Sequence, residues 1–226
     1  MKFERTEVMN FVGALHGMRN PLNSWNKSDS TIYTNGYSSE LVFLGEDDLD
    51  LAQRLIKGGS EHRKFLRQIM VCVDIIAPLY WWKEFDTYKV GTTANSTSTM
   101  HKLASTPITI DCFEMDDFTE EVDFPMFYQE PYSPDMYLSE YWQMFINDLE
   151  YLRKKYNETK DKRYWKELIR LLPESWLQTR TVTLNYENLR NMYSQRKNHR
   201  LTEWHSFCNW ILSLPYAKEF ITYGID

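Results

Sequence analysis

The sequence predicts an α/β (α+β) chain, a mixed sheet attended by long helices. Short alternating or β-branched runs stand at residues 2–8, 69–76 and 177–185. Around them lie segments whose apolar residues recur at helical spacing, the longest from Asp135 to about Asn157. No repeat or low-complexity tract divides the 226 residues, so one domain over 1–226 with a substantial core is expected.

The opening KFERTEV alternates as a short strand does. Val8, Phe11, Val12, Leu15 and Met18 then follow helical spacing up to Asn20–Pro21, where proline disfavours the helical conformation of the residue before it. Residues 20–36 are rich in Asn, Ser, Asp and Gly and read as a long loop, part of a divergent 20–40 segment. Arg19, Asn23, Ser24, Trp25 and Lys27 either contribute to a pocket there or belong to a surface excursion. Gly45-Glu-Asp-Asp opens the next helix with acidic residues at its positive end. Leu49, Ala52, Leu55 and Ile56 form its stripe, and Gly58–Gly59 stops it. Ile69 to Ile76 suits a buried strand, although period alone leaves a helix open. Pro78 takes the first position of a helix carrying Tyr80, Trp81, Lys83 and Glu84, which breaks at Gly91.

Residues 104–134 combine a strand-like TPITIDCFEM with an inserted acidic, Pro-rich excursion. Asp135 is a candidate cap for the long helix, with Tyr137, Tyr141, Met144, Phe145, Leu149 and Leu152 as its packing face. KDKRYWKELIRLL forms a shorter helix stopped by Pro173, and LQTRTVTLN alternates as a strand. Asn185 caps the helix NYENLRNMYSQRK, and LTEWHSFCNWILSL forms the last one.

A net charge of −6 argues against extended nucleic acid and against an anionic membrane surface as partners. No apolar run approaches a membrane span, and MKFERTEV is too polar for a signal peptide. Cys72, Cys112 and Cys208 include no CxxC pair, so buried thiols in a reducing, cytoplasmic setting are expected. Five scattered histidines, His199 and His205 among them, lack metal-ligand spacing, and no metal is expected.

Two stretches carry chemistry. The hydroxyl- and amide-rich run Thr92–Thr99 is either an ordinary polar loop or a set of donors for a phosphate. Arg190, Arg196, Lys197 and Arg200, with His199, form a basic segment in an acidic protein. Such a segment is either a solvated helix face or a seat for an anion.

The block LLPESWLQTRTVTLNYENLRNMYSQRKNHRLTEW resembles the C-terminal core of the flavin-dependent thymidylate synthases, the ThyX family. Leu172–Pro173, Asn185 and Arg196 stand at the family's separations. Upstream, LIKGGSEH and Ala77–Pro78 fall where that family has matching landmarks. The resemblance covers most of 45–221 and implies a ThyX-like mixed sheet assembling as a homotetramer. It also implies FAD, with NADPH and methylenetetrahydrofolate as co-reactants, in the methylation of a dUMP-like pyrimidine nucleotide. Arg196 matches the arginine that binds and polarises the uracil ring, the catalytic assignment. The resemblance implies cofactor contacts from Asn185, Asn191, His199, Arg200, Lys89, Tyr88 and His62. It implies substrate contacts from Arg170, Glu84, Asn95, Ser96, Thr97 and Ser98. The family's Arg-His-Arg element becomes Thr87–Tyr88–Lys89, and its Ser-x-Arg becomes Thr97–Ser98–Thr99. The departure leaves an alternative: a catalytically inactive ThyX-fold protein that binds, senses or sequesters a nucleotide or nucleotide-derived signal.

Overall fold

In the computed structural model, residues 1–34, 40–119 and 138–225 are described. They form two compact units. The first comprises Met1–Ile76, Lys83–Asn95 and Thr179–Asp226, and the second Ala77–Trp82 and Ser96–Gln178. The chain therefore passes from one to the other four times.

The main sheet has the order β1-β4-β6-β5. Strand β1 is Lys2–Met9, β4 is Met70–Pro78, β5 is Thr93–Ser96 and β6 is Leu177–Asn185. β1 runs antiparallel to β4, from Lys2 opposite Ile76 to Met9 opposite Met70, with a register shift between Glu4 and Glu7. Arg5 sits in that irregularity with φ 51° and pairs with Asp74 at 3.1 Å. Alternation in β4 sends Val71, Val73 and Ile75 into the core with no exposure, which settles this run as a strand.

Helices α1 (Phe11–Arg19), α2 (Glu46–Lys57), α7 (Tyr186–Arg196) and α8 (Thr202–Leu212) belong to the first unit. Its core is aromatic: Phe11 meets Tyr186 edge-on at 5.7 Å, and Phe65 meets Phe220 in the same way at 5.6 Å. The Tyr186 hydroxyl donates to the Pro215 carbonyl at 2.6 Å, and burial pushes its pKa far up. Of the expected loop at 20–36, the described part, 20–34, is more ordered than a loop. Two 3-10 turns, Asn20–Leu22 and Trp25–Lys27, lead into β2 (Thr31–Thr34), which pairs antiparallel with β3 (Glu40–Phe43). The polar side chains of this segment serve turns, which composition alone does not separate from loop.

Pro78 closes β4, and α3 begins one residue later at Leu79 and ends at Phe85, before Gly91. The hydroxyl run is also corrected. Thr93–Ser96 is the edge strand β5, where exposed polar side chains are tolerated, and α4 (Thr99–Lys102) follows it.

The second unit is built on α5 (Leu138–Thr159) and α6 (Lys162–Leu171), packed on a cluster of Leu103, Ile108, Phe113, Ile146, Leu149 and Leu168. TPITIDCFEM is not a strand. It makes a 3-10 turn at Ile110–Cys112 and one bridge, Phe113 to Trp176. Ile108 and Phe113 are buried five residues apart while Ile110 is 45% exposed, a spacing no straight strand puts on one face. The α5 face is corrected as well: Ile146 and Leu149 are buried, whereas Tyr141 and Met144 are exposed. Asp135 and Tyr137, expected as cap and packing residue, lie outside the described residues. Of the three thiols only Cys208 is buried; Cys72 and Cys112 are half-buried.

Glu150 ties this unit together. It receives Arg153 through both carboxylate oxygens at 2.6 Å and the Ile108 amide at 3.0 Å. The Arg153 hydrogen bonds, opposed by burial, hold its pKa at about 2 against an ordinary 4.5. A depressed carboxylate stabilises fully above the unfolded pKa and loses that contribution as pH falls from 4.5 to about 2. Glu150→Gln is expected to cost about 1.5–3 kcal/mol above that window. Urea midpoints of the two proteins should converge as the window is crossed downward.

Candidate functional site

In the first unit the loop after α3 meets the N-terminal turn of α7, and capping chemistry fixes both. Asn185 accepts the Asn188 amide at 3.0 Å, and Asn188 accepts the Asn185 amide at 3.2 Å, a reciprocal box at the helix start. The Asn188 side chain also donates to the Val90 carbonyl at 2.8 Å, which pins the loop to the helix. Gly91 has φ 74°, and a Cβ there would lie 2.9 Å from Asn188 Oδ1, so both conformation and space call for glycine.

These contacts leave a cleft of about 490 Å³. The loop 87–91 forms one wall, the α7 side chains Asn188, Asn191 and Met192 another, and Arg67 a third. Glu187 also faces it, but Arg63 neutralises that carboxylate through hydrogen bonds of 2.9–3.1 Å. Among the described residues Lys89 forms no ion pair, and Arg67 reaches only the Ser60 carbonyl at 3.5 Å. The unbalanced charge of the cleft is therefore positive, within a chain of net charge −6. A second cleft of about 380 Å³ shares Tyr88 and Lys89 and adds Arg180, which pairs with Asp86 at 2.7 Å.

Arg196 lies outside the lining of both clefts and supports Tyr88. Its Nε donates to the Tyr88 hydroxyl at 2.8 Å and its Nη1 to Glu84 Oε2 at 2.7 Å. The guanidinium stands 4.7 Å from the Trp204 ring centre and 5.6 Å from that of Tyr88. Trp204 Nε1 donates to the same Glu84 oxygen at 2.8 Å, and His199 Nε2 lies 3.3 Å from it. The Leu201 amide donates to His199 Nδ1 at 3.2 Å, so that nitrogen is the acceptor and Nε2 carries the proton toward Glu84. Glu84 thus gathers three groups from the end of α7 and the start of α8.

The first unit brings together Tyr88, Lys89, Asn185 and Asn191 around the cleft, with Glu84, Arg196 and His199 adjoining through Tyr88. His62 is exposed and packs toward Gly58, and Arg200 and Asn95 are exposed away from this lining. Arg170, Ser96, Thr97 and Ser98 belong to the second unit. There Arg170 pairs with Glu167, the Thr97 carbonyl accepts from Gln178, and Ser98 accepts the His101 amide as the α4 cap. The basic segment divides too, because Arg190 donates to the carbonyls of Ile221 and Tyr223 at 2.8 Å. Sequence reasoning missed Arg67, Arg180 and Asn188. Asn188 was within reach, three residues after a capping Asn185. The two arginines carry no local signal.

The sequence matches no family model and no curated protein. Solved structures do match. Helicobacter pylori flavin-dependent thymidylate synthase ThyX, complexed with FAD and dUMP, superposes with TM-score 0.60 at 17% identity, over 97% of this chain and 99% of that one. A second structure of the same enzyme with FAD and dUMP gives TM-score 0.60 and 17% identity over 96% and 97%. The chain has the ThyX fold. The mixed sheet with long helices expected from the sequence is therefore the ThyX arrangement, reached with few of the same residues. Among the described residues no group of His, Cys, Asp or Glu is placed to hold a metal ion. No described helix is long and apolar enough to cross a membrane.

Proposed function

We propose that this protein is a ThyX-like flavin-dependent enzyme acting on a dUMP-like pyrimidine nucleotide, by reductive methylation or a related one-carbon transfer. The observation that carries the reading is the positively charged cleft, formed where α7 opens, in a chain with the ThyX fold. Its volume lies within the roughly 300–1,000 Å³ usual for ligand sites. Its residues fit a flavin nucleotide: Lys89 and Arg67 face phosphate, Asn191 offers amide hydrogen bonds, and Tyr88 a ring face. FAD, when bound, supplies a two-electron carrier, which NADPH reduces in this reading. Arg196 presents its remaining nitrogen, Nη2, to the pyrimidine carbonyl, while Glu84 and Tyr88 hold the guanidinium plane. Methylenetetrahydrofolate as carbon donor and a homotetrameric assembly complete the proposal.

One observation favours a second reading, a non-catalytic binder of nucleotide. Glu84 already neutralises Arg196, which weakens its capacity to stabilise new negative charge. The purified protein separates the two. The enzyme reading expects flavin absorbance near the usual flavin bands, bleaching by NADPH, and methylated nucleotide by mass spectrometry. Thermal stabilisation by dUMP without bleaching or product would support the binder. A colourless protein that takes up neither FAD nor dUMP on titration sinks both.

A further inference from the structure

A chain of hydrogen bonds with a fixed direction borders the cleft at the start of α7. Arg196 Nε donates to the Tyr88 hydroxyl at 2.8 Å, and a guanidinium, like any cation in that place, can only donate. The hydroxyl has one hydrogen, which goes to Gln195 Oε1 at 2.9 Å. Gln195 is then left with its amide nitrogen, and Nε2 donates to Asn191 Oδ1 at 3.0 Å. Asn191 lines the cleft, and with its oxygen taken it has Nδ2 to offer a ligand. Asn191 and Gln195 stand four residues apart on α7, the spacing at which helix side chains meet.

Asn185 reaches the same polarity by a separate route. It is a lining residue, only 8% exposed, and its Oδ1 accepts the Asn188 amide. Among the described residues nothing accepts from its Nδ2, which is not one of the side-chain atoms sealed from solvent. A Cβ at Gly91 would stand 3.3 Å from that nitrogen, so the glycine keeps the space before it empty. Asn188 spends both ends of its amide on Asn185 and Val90, and Arg63 holds Glu187. We propose that Gln195 is a specificity-determining residue of this cleft. It turns the Asn191 nitrogen toward the ligand, so that both asparagines, with Lys89 and Arg67, select an ionised phosphate or diphosphate over a group that must also donate. Gln195 acts through Asn191 and is a positioning residue. The role rests on the nucleotide reading of the cleft, whereas the direction of the amides is independent of which phosphate compound enters. Asn191 and Gln195 are both exposed, so water competes for these bonds and the effect is several-fold.

The test titrates the whole chain with inorganic pyrophosphate and follows the side-chain amide resonances of Asn185 and Asn191 by NMR. Pyrophosphate is expected to shift both, and Gln195→Met to weaken its binding by roughly threefold to tenfold. Methionine is close to glutamine in helix propensity, so the unfolding midpoint should stay near that of the parent. In an Asn191→Ala background Gln195→Met should have no further effect on pyrophosphate, because no amide remains to be oriented. If FAD and dUMP fail to bind while pyrophosphate behaves in this way, the function proposed above fails and the role of Gln195 stands. That role is overturned if pyrophosphate leaves the Asn191 amide unmoved, or if Gln195→Met binds it as the parent does. It is overturned equally if Gln195→Met weakens binding as much with Asn191→Ala present as without it.

Discussion

Asp48→Ala is expected to destabilise the first unit by about 3–5 kcal/mol, because it leaves the buried Arg19 charge without its counter-ion. Asp48 is fully buried, and its removal also loses the Ser28 and Ser30 contacts that hold the segment before β2 against α2. At about 2–4 °C per kcal/mol for chains of this size, the melting temperature should fall on the order of 10 °C. Burial raises the Asp48 pKa, but hydrogen bonds from Ser30, Ser28 and Arg19 outweigh it and leave the carboxyl below its ordinary 3.8. The pair's contribution is therefore present above 3.8 and lost as pH falls below it, so the penalty of the variant should shrink in acid. The double variant Arg19→Met, Asp48→Leu removes both charges and should cost far less than Asp48→Ala. A penalty for the double variant as large as for the single one would show that packing, and not the ion pair, holds this corner.

Arg196→Lys is expected to lower turnover of the nucleotide by about 10²–10³-fold in the enzyme reading. Lysine keeps the charge but cannot span Glu84 Oε2 and the Tyr88 hydroxyl together while lying over Trp204. The loss should fall mainly on kcat, with flavin affinity little changed, because Arg196 lies outside the cleft lining. Glu84→Gln gives the complementary result: with its counter-charge removed, Arg196 should hold an anionic nucleotide several-fold tighter. Wild-type turnover in Arg196→Lys would remove Arg196 from the chemistry. Unchanged nucleotide affinity in Glu84→Gln would mean that the arginine does not meet the ligand.

Period carried much of the fold. The alternation in 2–8, 69–76 and 177–185 and the stripes behind α2, α6, α7 and α8 reflect faces buried within the unit each belongs to, and such faces mark the sequence directly. Where burial is local or absent, the mark fades. β5 is an exposed edge of Thr, Ala, Asn and Ser, indistinguishable in composition from a loop. Tyr141 and Met144 sit at helical spacing yet face solvent, because aromatic residues and methionine do not declare which stripe is covered. At the candidate site Asn185 was legible as a helix cap, and Lys89 was named only through the family resemblance. The role of Glu84 was not, since its partners Arg196, His199 and Trp204 lie more than a hundred residues away. The pairing of Arg19 with Asp48, 29 residues on, was not legible either, because no local pattern announces its burial.

The strand order has a consequence for synthesis. β6 lies between β4 and β5, yet it is the last of the four to be made. A chain emerging N-terminus first can join β1 to β4 early, but β4 must wait on the ribosome with one edge open until Asn185 has left the exit tunnel. The turn that buries Asn185 and shapes the cleft is completed in the same step. Nascent chains stopped short of that point thus hold an exposed Val- and Ile-rich edge, a natural place for chaperone capture or misassembly.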